Sequence, residues 1–271
     1  MFNQLIESAV KNSLQNKREG DFYDESGLLM CGKCKNRKQM KIEFPKGNER
    51  IVGIMCDCEK EEERLYNERI KREKEESYIN SLYKRGLTDK AYLKNTFEKD
   101  NKNNPEISAL CRKYVEHWDK MKENSAGILF YGALGGGKSF YACCIANALL
   151  KRGVRVLVTR LSDLVKNHTD DNVKTVNLKS FELIVLDDLG VENDSQTAFN
   201  IADEIYRMNI PVIVTTNLTP ADIKNPSALE KRRIYDRILE RCCITRFVRV
   251  NKSRLNNAKD NKERIMKLLT D

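Results

Sequence analysis

The sequence predicts an α/β protein built on a central parallel sheet flanked by helices, with a small cysteine-rich module ahead of it. Three observations predict this. From Ser125 onward short apolar runs alternate with helix-like stretches, the pattern of a parallel sheet rather than a hairpin meander. The first of those runs ends in a glycine-rich turn, GALGGG, at 132–137. An almost purely charged stretch, 59–77, separates this region from four cysteines in two close pairs.

Taken in order, the first 20 residues, MFNQLIESAVKNSLQNKREG, mix polar and apolar positions. They show neither the apolar core nor the small-residue cleavage site of a secretory leader, so secretion is not expected. No apolar run in the chain approaches the ~18 residues a membrane helix needs, and no membrane partner is expected. Nine cysteines then fit a reducing compartment, as core residues or metal ligands.

Cys31-Gly-Lys-Cys34 and Cys56-Asp-Cys58 stand 21 residues apart. Four thiolates on two short turns suit tetrahedral Zn²⁺, which favours sulfur and has no geometric preference of its own. The alternative is four free thiols packed in a core. Cys111, Cys143, Cys144, Cys242 and Cys243 are expected in helical segments as packing residues. Glu59–Ser77 carries 8 acidic and 6 basic residues, and mixed signs at three- and four-residue spacing predict a solvated helix. It reads as a connector or as a helix on the edge of the main domain. The resulting division is 1–60 for the cysteine module, 61–88 for the linker and 89–271 for the main domain.

Within the main domain, Gly127–Tyr131 is the first strand and Lys138–Lys151 the following helix, with Tyr141, Ile145, Ala148 and Leu149 on one face. Arg155–Thr159, Leu183–Leu186 leading into Asp187, and Pro211–Thr215 are the next strands. Thr219-Pro220-Ala221-Asp222 has Thr as N-cap and Pro at the first helical position. Ile244–Val250 is a last strand and Ala258–Leu269 a closing helix.

The turn itself carries the chemistry. Gly132-Ala-Leu-Gly135-Gly136-Gly137-Lys138-Ser139 matches G-x-x-x-x-G-K-[ST] between a strand and a helix. Glycines let successive N–H groups converge on phosphate oxygens, and the helix start adds its positive dipole end. Lys138 would neutralise the outer phosphates, and the Ser139 hydroxyl would bind Mg²⁺. Asp187, at the end of the strand Leu183–Leu186, can reach the same Mg²⁺ shell. Asp188 reads either as the residue that orients an attacking water or as a turn residue. Asn217, closing the fourth strand, reads either as a hold on that water or on the γ-phosphate, or as a turn residue.

Net charge is +9, and its placement matters more than its size. Residues 231–267 hold 13 Lys and Arg against 4 Asp and Glu, while the rest of the chain balances at 36 against 36. This end reads as a surface for nucleic-acid phosphate, or as basic residues serving the nucleotide beside a solvated helix.

The order of AYLKNTFEK (91–99), ILFYGALGGGKS (128–139), LIVLDDLGVE (183–192), PVIVTTNL (211–218) and RRIYDRILERC (232–242) resembles the DnaC/DnaI-like helicase loaders. These form part of the DnaC/IstB branch of the AAA+ P-loop NTPases, and loaders of the DnaI type also carry a zinc module in front. The resemblance implies ATP/ADP with Mg²⁺, a Walker B role for Asp187, and Asp188 where many AAA+ proteins place a catalytic Glu. It further implies sensor 1 for Asn217, an arginine finger acting on a neighbour's ATP for Arg237 with Arg233 assisting, and sensor 2 for Arg254. KSRLNN departs from the usual aromatic-Arg pattern, and Gly136 stands where Ser or Thr is common, a change expected to matter little. The function implied by the resemblance is that of an ATP-dependent loader of the replicative DNA helicase onto single-stranded DNA, homo-oligomeric with ATP and hydrolysing slowly outside an assembly. Its expected place is the cytoplasm of a bacterial or phage-infected cell. An IstB-type transposition helper and a nucleotide-gated adaptor are the alternatives.

Overall fold

The computed structural model describes residues 17–44, 48–169, 176–190, 195–226 and 229–249. The chain divides into two compact units, Met1–Glu76 and Ser77–Asp271, and the boundary falls inside one helix.

In the first unit, β1 (Phe22–Tyr23) pairs antiparallel with β2 (Leu29–Met30), and β3 (Gln39–Phe44) with β4 (Asn48–Gly53). Asp24 closes the first hairpin by accepting the N–H groups of Ser26 and Leu28 on one oxygen. Two-stranded sheets of this size hold little apolar surface, so polar bonding takes part of the load. Lys38 is buried, with its Nζ 2.8 Å from both Asp21 and Glu59. Helix α1 (Asp57–Gly86) begins here, longer at both ends than the charged stretch predicts. Arg64 pairs with Glu61 and Glu68 along its exposed surface, the spacing that supports solvated helices.

The second unit is built around five parallel strands in the order β6-β7-β8-β5-β9. They are β5 (Ile128–Tyr131), β6 (Val156–Thr159), β7 (Leu183–Leu189), β8 (Val212–Thr216) and β9 (Ile244–Phe247). Alternate side chains go to two cores. Ile128, Phe130, Val156, Val158, Leu183, Val185 and Ile213 face one, and Leu129, Leu157, Ile184, Leu186, Val212 and Val214 the other. That is why these strands read as continuous apolar runs.

The first core is roofed by the end of α1 together with α2 (Pro105–Glu116), α3 (Trp118–Glu123) and α4 (Lys138–Lys151). The second is covered by α5 (Leu161–Thr169), α6 (Ser195–Arg207), α7 (Pro220–Lys224) and α8 (Leu229–Leu239). Short 3₁₀ turns occupy Lys90–Lys94, Phe97–Lys99 and Leu178–Ser180. Thr219 caps α7 as expected, and Asp222 answers from N3 to complete a capping box. Among the described residues no helix is long and apolar enough to cross a membrane.

Several expectations need correction. Helix α4 is not one-faced: Tyr141 to Asn147, Leu149 and Leu150 are all buried, because α4 sits between the sheet and α2, and Ala148 is only partly so. Cys242 and Cys243 lie in the turn after α8 rather than in a helix, and Cys243 is exposed. Cys111, Cys143 and Cys144 are buried as expected. The last strand ends at Phe247, and the predicted helix 258–269 lies outside the described residues.

Candidate functional site

Strand β5 delivers the chain into the loop 132–137, and α4 takes it up at Lys138. Gly132, Gly135 and Gly137 have φ of +135°, +83° and +96°, and Gly137 caps α4 in the left-handed region. Gly136 is required for a different reason. A Cβ there would lie 2.9 Å from the carbonyl oxygen of Val248, directly after β9. The departure from Ser or Thr, expected to matter little, is therefore matched to the backbone that crosses behind the loop.

Lys138 is buried, and its Nζ donates to the carbonyls of Gly132 and Ala133, each at 2.9 Å, and to Asn217 Oδ1 at 2.8 Å. Ser139 follows, half-buried, in the first turn of α4. Asn217 stands one residue past β8, and its Nδ2 donates to Asp188 Oδ1 at 3.0 Å. The strand order explains this: β8 lies between β5 and β7, so its end sits between the lysine and the acidic pair.

At that point the β7–β8 ladder shifts register between Leu186 and Leu189, and the interruption contains Asp187 and Asp188. Asp188 has φ +60°. Thr215, 1% exposed, grips both acids: its hydroxyl accepts from Asp188 N at 2.9 Å and donates to Asp187 Oδ1 at 2.7 Å. Asp187 is itself buried. The structure thus brings together Lys138, Asn217, Asp188 and Asp187, four of the residues singled out from sequence. The donor set fits a magnesium nucleotide: an ammonium and a helix start for phosphate, a hydroxyl and a carboxylate for the cation. Thr215 escapes sequence reasoning, since a buried strand threonine carries no motif.

Arg237 lies on α8 as expected, with its guanidinium over the Tyr206 ring at 4.7 Å and 3.5 Å from Asp203, both on α6. Arg233, one turn earlier, is exposed. Arg254, and the basic segment beyond Arg249, lie outside the described residues.

In the first unit the sulfurs of Cys31, Cys34, Cys56 and Cys58 lie within 4.8 Å of one another. A tetrahedral ion with Zn–S bonds of ~2.3 Å would hold sulfurs roughly 3.8 Å apart, so the cluster fits a metal. The backbone N–H groups of Cys58 and Asn36 bring the Cys34 thiol down to about 6. Burial pushes Cys56 up to about 12, and the neighbouring Cys34 sulfur raises Cys58. Thiols this close cannot all ionise without a cation, so the set gathers anionic ligands at a cost that a metal offsets.

Known proteins match this arrangement. Residues 107–260 match the family described as IstB-like ATP binding protein. The replicative helicase loader DnaC of Escherichia coli K12 is 29% identical over 137 residues, 47% of this chain and 55% of the loader. A candidate insertion-sequence ATP-binding protein of Sinorhizobium fredii is 34% identical over 107 residues, 37% of this chain and 36% of that protein. The chain therefore spans about half the length of the loader, and less of the second relative. Among solved structures, a candidate primosome component from Streptococcus pyogenes serotype M3 superposes with a TM-score of 0.52 at 21% identity, covering 62% of this chain and 94% of that one. That likeness shows the shared fold. The family match takes in more than half of the chain and contains the phosphate loop, both acids, Asn217 and α8. With a central parallel sheet and a strand-loop-helix phosphate site of the AAA+ kind, the chain belongs to the IstB-like ATP-binding proteins.

Proposed function

We propose that this chain is an ATP-dependent loader of the replicative DNA helicase onto single-stranded DNA. Lys138 and the 132–137 amides hold the phosphates of ATP, Ser139 and Asp187 hold Mg²⁺, and Asp188 with Asn217 places the attacking water. Arg237 serves ATP bound by a neighbouring copy, so hydrolysis is slow outside a homo-oligomer; Arg254 serves as sensor 2. Cys31, Cys34, Cys56 and Cys58 hold Zn²⁺ in a module, residues 1–60, that binds the helicase, and the basic carboxy-terminal region follows the DNA backbone. The observation that carries the reading is the bonded run Lys138–Asn217–Asp188, which joins the phosphate loop to the acidic strand end. The likeness to the Escherichia coli helicase loader supports the choice of partner.

Two measurements test it. Gel filtration with the host's replicative helicase should give a complex that is lost when residues 1–60 are removed; no complex with the intact chain refutes the loader. ATPase rates at high protein concentration with single-stranded DNA should fall to background in both Lys138→Ala and Arg237→Ala. Equal rates in all three proteins would leave a nucleotide-gated adaptor. The 34% relative favours a second reading, an ATPase that assists a transposase; copurification with a transposase instead of a helicase would select it.

A further inference from the structure

The turn Lys90–Lys94 lies outside the phosphate loop and the sheet, yet one of its side chains reaches the acidic pair. Tyr92 is 6% exposed, and its hydroxyl donates to Asp187 Oδ2 at 3.2 Å. With Thr215 on Oδ1, both oxygens of this carboxylate accept a hydroxyl hydrogen bond. The two donors have different origins. Thr215 belongs to the neighbouring strand, whereas Tyr92 arrives from the segment that follows α1.

That segment is held in place from several sides. Thr88 reaches the carbonyl of Val158 on β6 through both its N–H and its hydroxyl, at 3.3 and 3.0 Å. Asp89 caps the turn by accepting from Ala91 N. Asn147 of α4, itself buried, donates to the carbonyls of Tyr92 and Asn95 at 2.9 and 2.8 Å. A carboxylate held at one oxygen can still swing about its Cβ–Cγ bond; held at both, it presents its remaining lone pairs in one direction. Partners of this kind behind a metal ligand set its orientation and basicity.

We propose that Tyr92 is a positioning residue that orients Asp187 toward the magnesium ion of the bound nucleotide, an inference that rests on the nucleotide-site reading above. It makes the geometry of the cation shell depend on the segment of the second unit that follows α1.

The test uses the full chain and a fluorescent N-methylanthraniloyl ATP, whose affinity is measured with Mg²⁺ and again with EDTA. Tyr92→Phe keeps the ring and removes the donor. The Mg²⁺-dependent gain in affinity should fall about tenfold, with affinity in EDTA unchanged. Tyr83→Phe is the control: it removes a similar hydroxyl bond, to the Asn147 carbonyl, without touching Asp187, and should leave the gain intact. A wild-type gain in Tyr92→Phe overturns the proposal, as does an equal loss with and without Mg²⁺. Wild-type protein that binds no nucleotide overturns the nucleotide site itself. Should Tyr92→Phe not fold, Asp89→Ala, which loosens the turn at its exposed cap, is read in the same way.

Discussion

Replacing Lys38 by Met should weaken metal retention in the first unit far more than any other single lysine change there. The side chains of Lys38 and Asp21 are each 3% exposed, and that of Glu59 is 14% exposed. Methionine keeps the length and removes the charge, leaving Asp21 buried without its cation. Breaking a buried ion pair from one side costs about 3–5 kcal/mol. Asp21 keeps two backbone donors, Gly32 N at 2.9 Å and Arg18 N at 2.8 Å, which places the cost near the lower end. Gly32 follows Cys31, and Glu59 follows Cys58 and accepts from Cys56 N at 3.1 Å, so the ion cluster ties both cysteine pairs together. Folding and metal binding are one equilibrium in such modules. A loss of about 3 kcal/mol then appears as roughly a hundredfold weaker apparent Zn²⁺ affinity. The assay is competition with a chromogenic chelator, comparing wild type, Lys38→Met and Lys60→Met. The Lys60–Asp57 pair, at 3.3 Å, is mostly solvent-exposed and should shift the midpoint by no more than about fivefold. Equal midpoints for the two variants would refute the reasoning.

Two further outcomes can be checked by thermal denaturation. Gly136→Ser drives a Cβ toward the Val248 carbonyl and should cost about 1–3 kcal/mol, with nucleotide binding weakened because the loop and the strand end must part. Glu182 joins Lys122 of α3 to Arg155 beside β6. Burial raises its carboxyl, but the Lys122 ammonium and the Arg155 N–H and guanidinium outweigh it, and the net position is below the ordinary value. A depressed carboxyl contributes stability that is present above its unfolded value and lost as pH falls through the folded one. Glu182→Gln should therefore lower the midpoint at pH 7 and matter less below about pH 4; a difference constant across that range would contradict the assignment.

The parts of the molecule legible in the sequence are those with strong local grammar. The β5–loop–α4 unit and the Thr219 cap carry positional requirements that few other sequences meet, and the strands are apolar because both faces are covered. Lys38 shows the opposite case. A lysine amid charged neighbours reads as solvated, and its burial depends on Asp21 and Glu59 arriving from 17 and 21 residues away. Tyr92 is visible only as one letter of AYLKNTFEK, because a buried aromatic reads as packing until the carboxylate behind it is placed. Cys242 and Cys243 read as helical because the residues before them have helical spacing and nothing in RRIYDRILERCC marks the stop.

The left-handed backbone at Asp188 has a consequence for what the position can hold. At φ +60° an aspartate or asparagine is tolerated, whereas longer side chains sit there at a penalty. Lengthening this acid by one carbon to glutamate, the residue many AAA+ proteins use, would press the chain back toward an ordinary extended conformation. That turn of the peptide would withdraw the N–H from Thr215, and the same hydroxyl steadies Asp187. Reach at one acid and alignment at its neighbour are therefore mechanically linked, and an Asp188→Glu exchange trades the second for the first.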